Sequence, residues 1–351
     1  MPPRPDAPHT RSVSTSTVVA RQRTPPRART SLVRAIAAAG RPWPRPAAAG
    51  RLGRPYCPEP VEVTPTAVHE YLTALTEPAR RRLAARFPAA VGTLDGAPPA
   101  MRYAANRHRM RPTRFGTWTG QYLLFDPSPP GRVALVYGDL STADRLAVLV
   151  PGADSRLADF ARGLGGQRHR APAVQAVNLY RVADARRPRR VAVVAWLGYR
   201  APRGPHPEVA REKLAAAGAA ELVRFVRGLA VVAPRAAITL LGHSYGSVVV
   251  GLAAAALPPP VRDIAVFGSP GLGVATAAEL GTTARIWAAC APGDWTRFVP
   301  GVRRGGFGHG RRPTDPAFGA RPFCTAGVAD HDHYLAPGTG SLAALAAILT
   351  G

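Results

Sequence analysis

The stretch Ile238-Thr239-Leu240-Leu241-Gly242-His243-Ser244-Tyr245-Gly246 decides the fold class of this 351-residue chain. It joins a short apolar run to a Gly-x-Ser-x-Gly motif, and a run of small and branched residues follows. A strand, this motif and then a helix are typical of a nucleophile elbow, a strained turn that exposes its serine above the edge of a sheet. The free N–H groups of the following helix favour a developing negative charge beside Ser244. The motif predicts a catalytic serine at position 244, with a tight structural turn as the alternative.

Apolar runs on both sides of the motif alternate with helical patterns. Most are continuous, as in strands that are buried on both faces of a parallel sheet. The predicted strands are residues 133–137, 146–150, 191–196, 237–241, 263–267 and 285–289. The predicted helices among and after them are residues 208–229, 247–257 and 341–349. This alternation predicts an α/β protein with a mostly parallel, doubly wound sheet and helices on both faces.

The composition of the chain changes near residue 62. Residues 1–62 are rich in arginine and proline, and they offer too little apolar surface to offset the entropy cost of ordering. From Thr64-Pro65, an N-cap followed by a first helical position, helical spacing begins. We expect one helix after the N-cap at Thr64, a second from Glu77 and a third that follows Pro98-Pro99 and runs through Met101 to Met110. The predicted organisation is a disordered tail (1–62), a helical segment that packs on or caps the core (63–130) and a catalytic domain (131–351).

The formal net charge of +25 suggests a polyanionic partner, but the residue usage favours a simpler explanation. Only one of the 46 basic residues is a lysine, Lys213, and arginine, alanine, glycine and proline are abundant together, as a GC-rich genome would encode. The arginines are dispersed and no recognition motif accompanies them, so no nucleic-acid partner is expected. A basic protein that binds acidic polymers or lipids through its tail is the alternative.

Residue counts exclude two other classes of protein, those that span a membrane and those built on a disulfide scaffold. No run of 18 apolar residues is present, so no transmembrane segment is expected. Three cysteines, at positions 57, 290 and 324, are too few and too scattered for a disulfide scaffold. The sequence shows no convincing signal peptide, which favours a cytoplasmic protein, or a secreted one if the start is misassigned. The oligomeric state does not follow from the sequence.

A serine nucleophile needs a base and an orienting carboxylate, which follow the elbow in chain order as acid and then histidine. Asp294 stands in the loop after the predicted strand 285–289, two strands beyond the nucleophile, although a turn aspartate is the structural alternative. His309 lies in a glycine-rich loop and comes too early, which leaves His331 or His333 as the base. The run Asp330-His331-Asp332-His333 could bind a metal, but no third ligand cluster supports one. We expect neither a metal nor an organic cofactor.

The remaining site residues come from the ends of neighbouring strands. The oxyanion hole should use the backbone N–H of Tyr245 and a second N–H from Gly152 or Ala153, in the loop after strand 146–150. Trp196 is expected in the core. Three residues are expected to line the substrate pocket: His243, Tyr199 and Trp295.

Several motifs, in this order, resemble actinobacterial α/β hydrolases that are grouped as a family of unknown function. The most specific are WLGY at 196–199, GHSYGS at 242–247 and DPAFG at 315–319, and the resemblance runs from about residue 64 to the end. It implies an α/β-hydrolase fold and a Ser-Asp-His triad. The family pattern has a histidine three residues before a tyrosine near its end, which makes His331 the first choice of base and His333 the second. Asp332 departs from that pattern, which has serine there.

The function expected from the sequence is a serine hydrolase that acts on an ester, thioester or related small-molecule acyl substrate through an acyl-enzyme. An acyltransferase on the same fold is one alternative. A catalytically inactive α/β-hydrolase fold that serves as a binding module is the other.

Overall fold

The computed structural model describes residues 64–186, 190–204 and 206–351, so the predicted tail lies outside the described residues. An eight-stranded sheet forms the centre of the described part, and a two-stranded hairpin stands apart from it. The sheet strands are β1 (Gln121–Asp126), β2 (Arg132–Tyr137), β3 (Arg145–Val150), β4 (Val191–Leu197), β5 (Ala237–His243), β6 (Val261–Phe267), β7 (Arg285–Ala289) and β10 (Arg321–Pro322). The hairpin strands are β8 (Arg303–Arg304) and β9 (Phe307–Gly308).

The strand order is β1-β2-β4-β3-β5-β6-β7-β10. β1 and β2 pair antiparallel, as do β2 and β4, whereas every pairing from β4 to β10 is parallel. The six strands predicted from the sequence all appear, with ends that differ by at most two residues. All seven residues of β4 are buried, as expected for a strand covered on both faces. The prediction of a mostly parallel, doubly wound α/β sheet is confirmed.

Helices surround this sheet. Their bounds are α1 (Pro65–Thr73), α2 (Glu77–Arg86), α3 (Pro88–Gly92), α4 (Pro99–Met110), α5 (Pro172–Asp184), α6 (Lys213–Val232), α7 (Tyr245–Ala253) and α8 (Gly340–Thr350). α6 packs against α7, and α5 packs against α8. Thr64 caps α1 by accepting a hydrogen bond from the Ala67 N–H, as the Thr-Pro signal predicts. None of the helices in these residues is long and apolar enough to span a membrane.

The structure corrects three details of the sequence prediction. β1 lies within the segment 63–130 that was expected to be helical, where it pairs with β2 and packs against α4. The helix predicted from residue 208 begins at Lys213, because Arg211 has an extended backbone (φ −111°, ψ 144°) that separates it from a short 3₁₀ turn. The helix predicted from residue 247 begins at Tyr245, directly after the motif serine, and ends at Ala253.

Candidate active site

Ser244 lies in the turn between β5 and α7, at the carboxyl edge of the sheet. Its backbone has φ 54° and ψ −129°, a region that residues other than glycine rarely adopt. The turn is held in place by close packing, since a Cβ on Gly246 would lie 2.2 Å from the carbonyl oxygen of Val150 in β3. The strained turn predicted from the motif is therefore present. Its strain is supported by the contact between the start of α7 and the end of β3.

His331 lies between Ser244 and a buried carboxylate. Its Nε2 is 2.9 Å from Ser244 Oγ, and its Nδ1 is 2.9 Å from Asp294 Oδ1. A carboxylate only accepts hydrogen bonds, so Nδ1 carries the proton and the lone pair of Nε2 faces the serine hydroxyl. In this tautomer, His331 Nε2 can accept a hydrogen bond from the Ser244 hydroxyl.

Asp294 follows β7 and is completely buried. Its Oδ1 accepts hydrogen bonds from the backbone N–H of Thr296 at 2.8 Å and from the Thr296 hydroxyl at 2.7 Å, besides the one from His331. Burial by itself would raise the pKa of Asp294, but the hydrogen bonds from His331, Tyr334 and Thr296 hold that pKa below its ordinary value. The carboxylate therefore stays charged beside the histidine.

Tyr334 is a site residue to which the sequence analysis assigned no role. Its hydroxyl donates to Asp294 Oδ2 at 2.6 Å and accepts from the backbone N–H of Ala291 at 2.8 Å. Burial, followed by this contact with the carboxylate, raises the pKa of Tyr334 well above its ordinary value, so the hydroxyl remains a donor. The signal that could have found it is the spacing of a histidine three residues before a tyrosine.

His333, the second choice of base, has different partners. Its Nδ1 donates to Asp330 Oδ1 at 2.7 Å, and its ring stacks on His169 with centroids 4.0 Å apart. Asp332 pairs with Arg170 at 3.1 Å. Within the described ranges, no group of three or more histidine, cysteine, aspartate or glutamate side chains is arranged to hold a metal ion. The geometry at Ser244 therefore involves His331.

The loop after β3, expected to complete the oxyanion hole, lies directly against Ser244. A Cβ on Gly152 would be 2.6 Å from Ser244 Cβ, so only glycine allows this approach. Tyr199, expected to line the pocket, is buried instead, and its hydroxyl donates to the carbonyl oxygen of Pro151 at 2.7 Å. The prediction for Tyr199 is wrong because its ring packs on Trp196 inside the core, where it supports the loop from behind.

A cavity of about 850 Å³ opens at Ser244, and Gly152, Ala153, His243, Tyr245 and Trp295 all contribute to its wall. The apolar part of the wall is built mainly from Leu164, Pro172, Pro207, Val209, Pro270, Val299, Pro300 and Val302. Trp295 is 54% exposed, and its ring centroid is 4.9 Å from that of His331. His243 and Trp295, which were predicted to line the substrate pocket, thus both border this cavity.

His243 contacts His331 as well as the cavity. Its Nε2–H donates to the backbone carbonyl of His331 at 2.8 Å, which fixes the loop that carries His331. Burial, together with the neighbouring charge of His331, lowers the pKa of His243 to about 4. His243 is thus a neutral donor at physiological pH.

His309, which the sequence analysis set aside, also borders the cavity. It is buried, its Nε2–H donates to the carbonyl of Val209 at 2.7 Å, and its ring meets that of Tyr245 edge to face. Nothing in its local sequence distinguishes it from a loop histidine, so its position depends on the tertiary fold alone.

Comparison with known families identifies the fold family of this chain. The family model described as "Alpha/beta hydrolase" matches residues 126–303, just over half of the 351-residue chain. The chain belongs to the alpha/beta hydrolase family. The match includes the elbow and Asp294 and ends before His331.

Relatives of this α/β hydrolase occur in mycobacteria. An uncharacterised protein of Mycobacterium tuberculosis (strain CDC 1551 / Oshkosh) is 30% identical over 285 residues, which cover 63% of this chain but only 42% of that protein. An uncharacterised protein of Mycobacterium bovis (strain ATCC BAA-935 / AF2122/97) is 36% identical over 171 residues, or 46% of this chain and 62% of that protein. This chain thus spans well under half the length of the first of these relatives.

Solved structures of hydrolases are similar in part. An alpha-beta serine hydrolase homologue from Coxiella burnetii has a TM-score of 0.38 at 12% identity, and the match covers 67% of this chain and 97% of that one. The esterase PE8 has a TM-score of 0.42 at 16% identity, over 62% of this chain and 97% of that one.

Proposed function

We propose that this α/β hydrolase is a serine hydrolase that cleaves an ester, thioester or related acyl substrate through an acyl-enzyme. The observation that carries the proposal is the continuous chain of hydrogen bonds from Ser244 Oγ through both ring nitrogens of His331 to Asp294. A serine in a strained turn, with a histidine and a buried carboxylate in line, is the arrangement that activates a hydroxyl for attack on a carbonyl carbon.

The first step is the attack of Ser244 Oγ on the substrate carbonyl carbon. His331 Nε2 takes the hydroxyl proton as the new C–O bond forms. Asp294 keeps the imidazole in the required tautomer and stabilises the positive charge that develops on it. His331 then gives the proton to the leaving alcohol or thiol as the tetrahedral intermediate collapses to the acyl-enzyme.

The negative charge of the tetrahedral intermediate falls on the former carbonyl oxygen. Tyr245 is the first residue of α7, and its N–H has no partner within the helix. The second donor comes from the loop after β3, through the N–H of Gly152 or Ala153, which lies beside Ser244. Donors fixed in this way before the reaction stabilise the transition state more than the substrate.

The acyl-enzyme is resolved by water. His331 removes a proton from a water molecule as the water oxygen attacks the acyl carbon. The bond between the acyl carbon and Ser244 Oγ then breaks, and His331 returns the proton to Ser244 Oγ as the acid leaves. An alcohol in place of water would give acyl transfer, so the two outcomes share every residue named above. All steps use the side chains and backbone of this chain, with the acyl group in the largely apolar cavity.

The test is covalent labelling of the purified protein by a fluorophosphonate probe. Wild type should be labelled, and Ser244→Ala should not. Ser155→Ala is the matched control, since Ser155 also borders the cavity but is not hydrogen-bonded to His331. Folded wild-type protein that takes up no probe, or Ser244→Ala labelled like the wild type, would disprove the proposal and favour a binding module.

A further inference from the structure

We define the rim segment as residues 295–312. This segment carries the large apolar side chains that are exposed in the described chain. The large hydrophobic side chains that are exposed in the described residues all lie in it: Trp295, Phe298, Val302 and Phe307. Phe298 is 77% exposed and Val302 is 61% exposed. Scattered single exposures need no explanation, but exposed side chains that all fall within one short segment indicate an interaction surface.

The rim segment is also strongly basic. It contains five arginines and no aspartate or glutamate: Arg297, Arg303, Arg304, Arg311 and Arg312. Glu212 binds Arg303, and Asp315 lies 3.8 Å from Arg311. The other three arginines form no ion pair with any residue that the structure describes. Apolar side chains among uncompensated positive charges suit a partner that is both anionic and apolar.

The same segment forms one edge of the catalytic cavity. Trp295, Val299, Pro300 and Val302 all contribute to the cavity wall, and the Trp295 ring contacts that of His331. The tip of the β8–β9 hairpin, at Gly305 and Gly306, is exposed beyond them. A partner bound to the rim segment would therefore lie at the entrance through which an acyl chain reaches Ser244.

We propose that the rim segment docks this protein on an anionic lipid surface. Phe298, Val302 and Phe307 would enter the boundary between headgroups and acyl chains, while the arginines pair with the lipid phosphates. Resting on the proposed function, this names the substrate class: an acyl ester that is carried in such a surface and passes from it into the cavity.

The experiment is co-sedimentation of the full-length protein with two kinds of vesicle at physiological ionic strength. One kind contains phosphatidylcholine alone, and the other contains equal parts of phosphatidylcholine and phosphatidylglycerol. Wild type should sediment with the anionic vesicles. The double variant Phe298→Ser/Phe307→Ser, at two exposed residues outside the cavity wall, should partition at least about tenfold more weakly, since both side chains lose the burial of apolar surface. Both residues are exposed, so the variant should fold normally.

A matched pair of variants tests the charge. Arg304→Ala should weaken partitioning about fivefold, because one arginine near an anionic surface contributes about 1 kcal/mol. Arg82→Ala, an equally simple loss of one exposed arginine outside the rim segment, should have a smaller effect. Equal effects of the two variants would mean that net charge, and not this surface, drives binding, which would overturn the proposal.

A second measurement locates the contact directly. Phe298→Trp should show fluorescence quenching by brominated lipids beyond that of wild type, because the new indole lies in the bilayer interface. The proposal is overturned if wild type does not sediment with anionic vesicles, or if Trp introduced at 298 is not quenched. Fluorophosphonate labelling in solution should be unchanged in the rim variants, so a failed docking surface and a failed serine hydrolase give different results.

Discussion

Removal of one hydroxyl group tests how the structure keeps Asp294 charged. In Tyr334→Phe, Asp294 Oδ2 loses its hydrogen bond of 2.6 Å, and the backbone N–H of Ala291 loses its acceptor at 2.8 Å. The aromatic ring remains and keeps its contact with Phe267, at 5.2 Å between centroids. The substitution therefore changes hydrogen bonding with little change in packing.

The size of the expected loss of stability follows from the burial of the groups that Tyr334 contacts. Asp294 is completely buried, and a hydrogen bond to a charged group contributes about 1.5–3 kcal/mol. A buried N–H left without an acceptor adds about 1–3 kcal/mol, although the surroundings adjust in part. We expect Tyr334→Phe to lower the free energy of unfolding at pH 7 by about 3 kcal/mol.

The assay is equilibrium unfolding in urea, with an unchanged m-value as the sign that the unfolded state is not altered. Tyr137→Phe is the matched control, because its hydroxyl donates to the neutral carbonyl of Ala173 at 2.9 Å. A neutral hydrogen bond contributes about 1 kcal/mol, so the control should lose clearly less stability. If Tyr334→Phe loses no more than Tyr137→Phe, the hydroxyl does not stabilise a charged carboxylate and the reasoning is refuted.

The loss of stability in Tyr334→Phe should also depend on pH. The pKa of Asp294 is lowered in the folded protein, so its charged form contributes stability above the pKa of unfolded aspartate, about 3.9. That contribution is lost as the pH falls through the folded pKa. The difference between wild type and Tyr334→Phe should therefore be largest near neutral pH and shrink in acid, where the carboxyl is protonated. A difference that stays constant from pH 7 into strong acid would contradict the assignment.

Two further predictions concern the residues around Ser244. Gly152→Ala should slow fluorophosphonate labelling by at least about a hundredfold, because the new Cβ lies 2.6 Å from Ser244 Cβ and must displace the serine or the loop. Gly301→Ala, whose Cβ meets nothing closer than 3.4 Å, is the control that should label normally. His331→Ala should abolish labelling while His333→Ala keeps it, and the reverse result would move the base to His333.

The parallel part of the fold could be predicted from the sequence because burial on both faces leaves a simple signal. β3 to β7 are mostly apolar, although β6 contains Arg262 and Asp263, so their positions could be predicted without knowledge of their partners. β1 was missed because it stands at the edge of the sheet and is separated by only ten residues from a segment of helical spacing that ends at Met110. Its residues Tyr122 to Phe125 are as buried as the central strands, but only the pairing with β2 and the packing against α4 reveal this.

Part of the candidate site could likewise be predicted from the sequence, and part of it could not. Ser244, Asp294 and the loop at Gly152 follow strand ends, and parallel strands bring their carboxyl ends to one edge, so chain order alone groups them. The choice between His331 and His333 required the structure, because the two residues share a loop and face different partners. The orientation of Tyr199 could not be predicted from the sequence either. A tyrosine just after the end of a strand can face the pocket, or it can pack in the core and support the neighbouring loop from behind.

Asp332 shows how a departure from a family pattern is accommodated. The resemblance places a serine at this position, and an added carboxylate next to the base would perturb a charge-sensitive site. In the structure, Asp332 pairs with Arg170 at 3.1 Å, and both residues border the cavity. Both side chains of this pair are partly exposed, so the arginine offsets the added charge without a buried ion pair. The hydrogen bonds of His331 to Ser244 and Asp294 can therefore form although the neighbouring residue differs from the pattern.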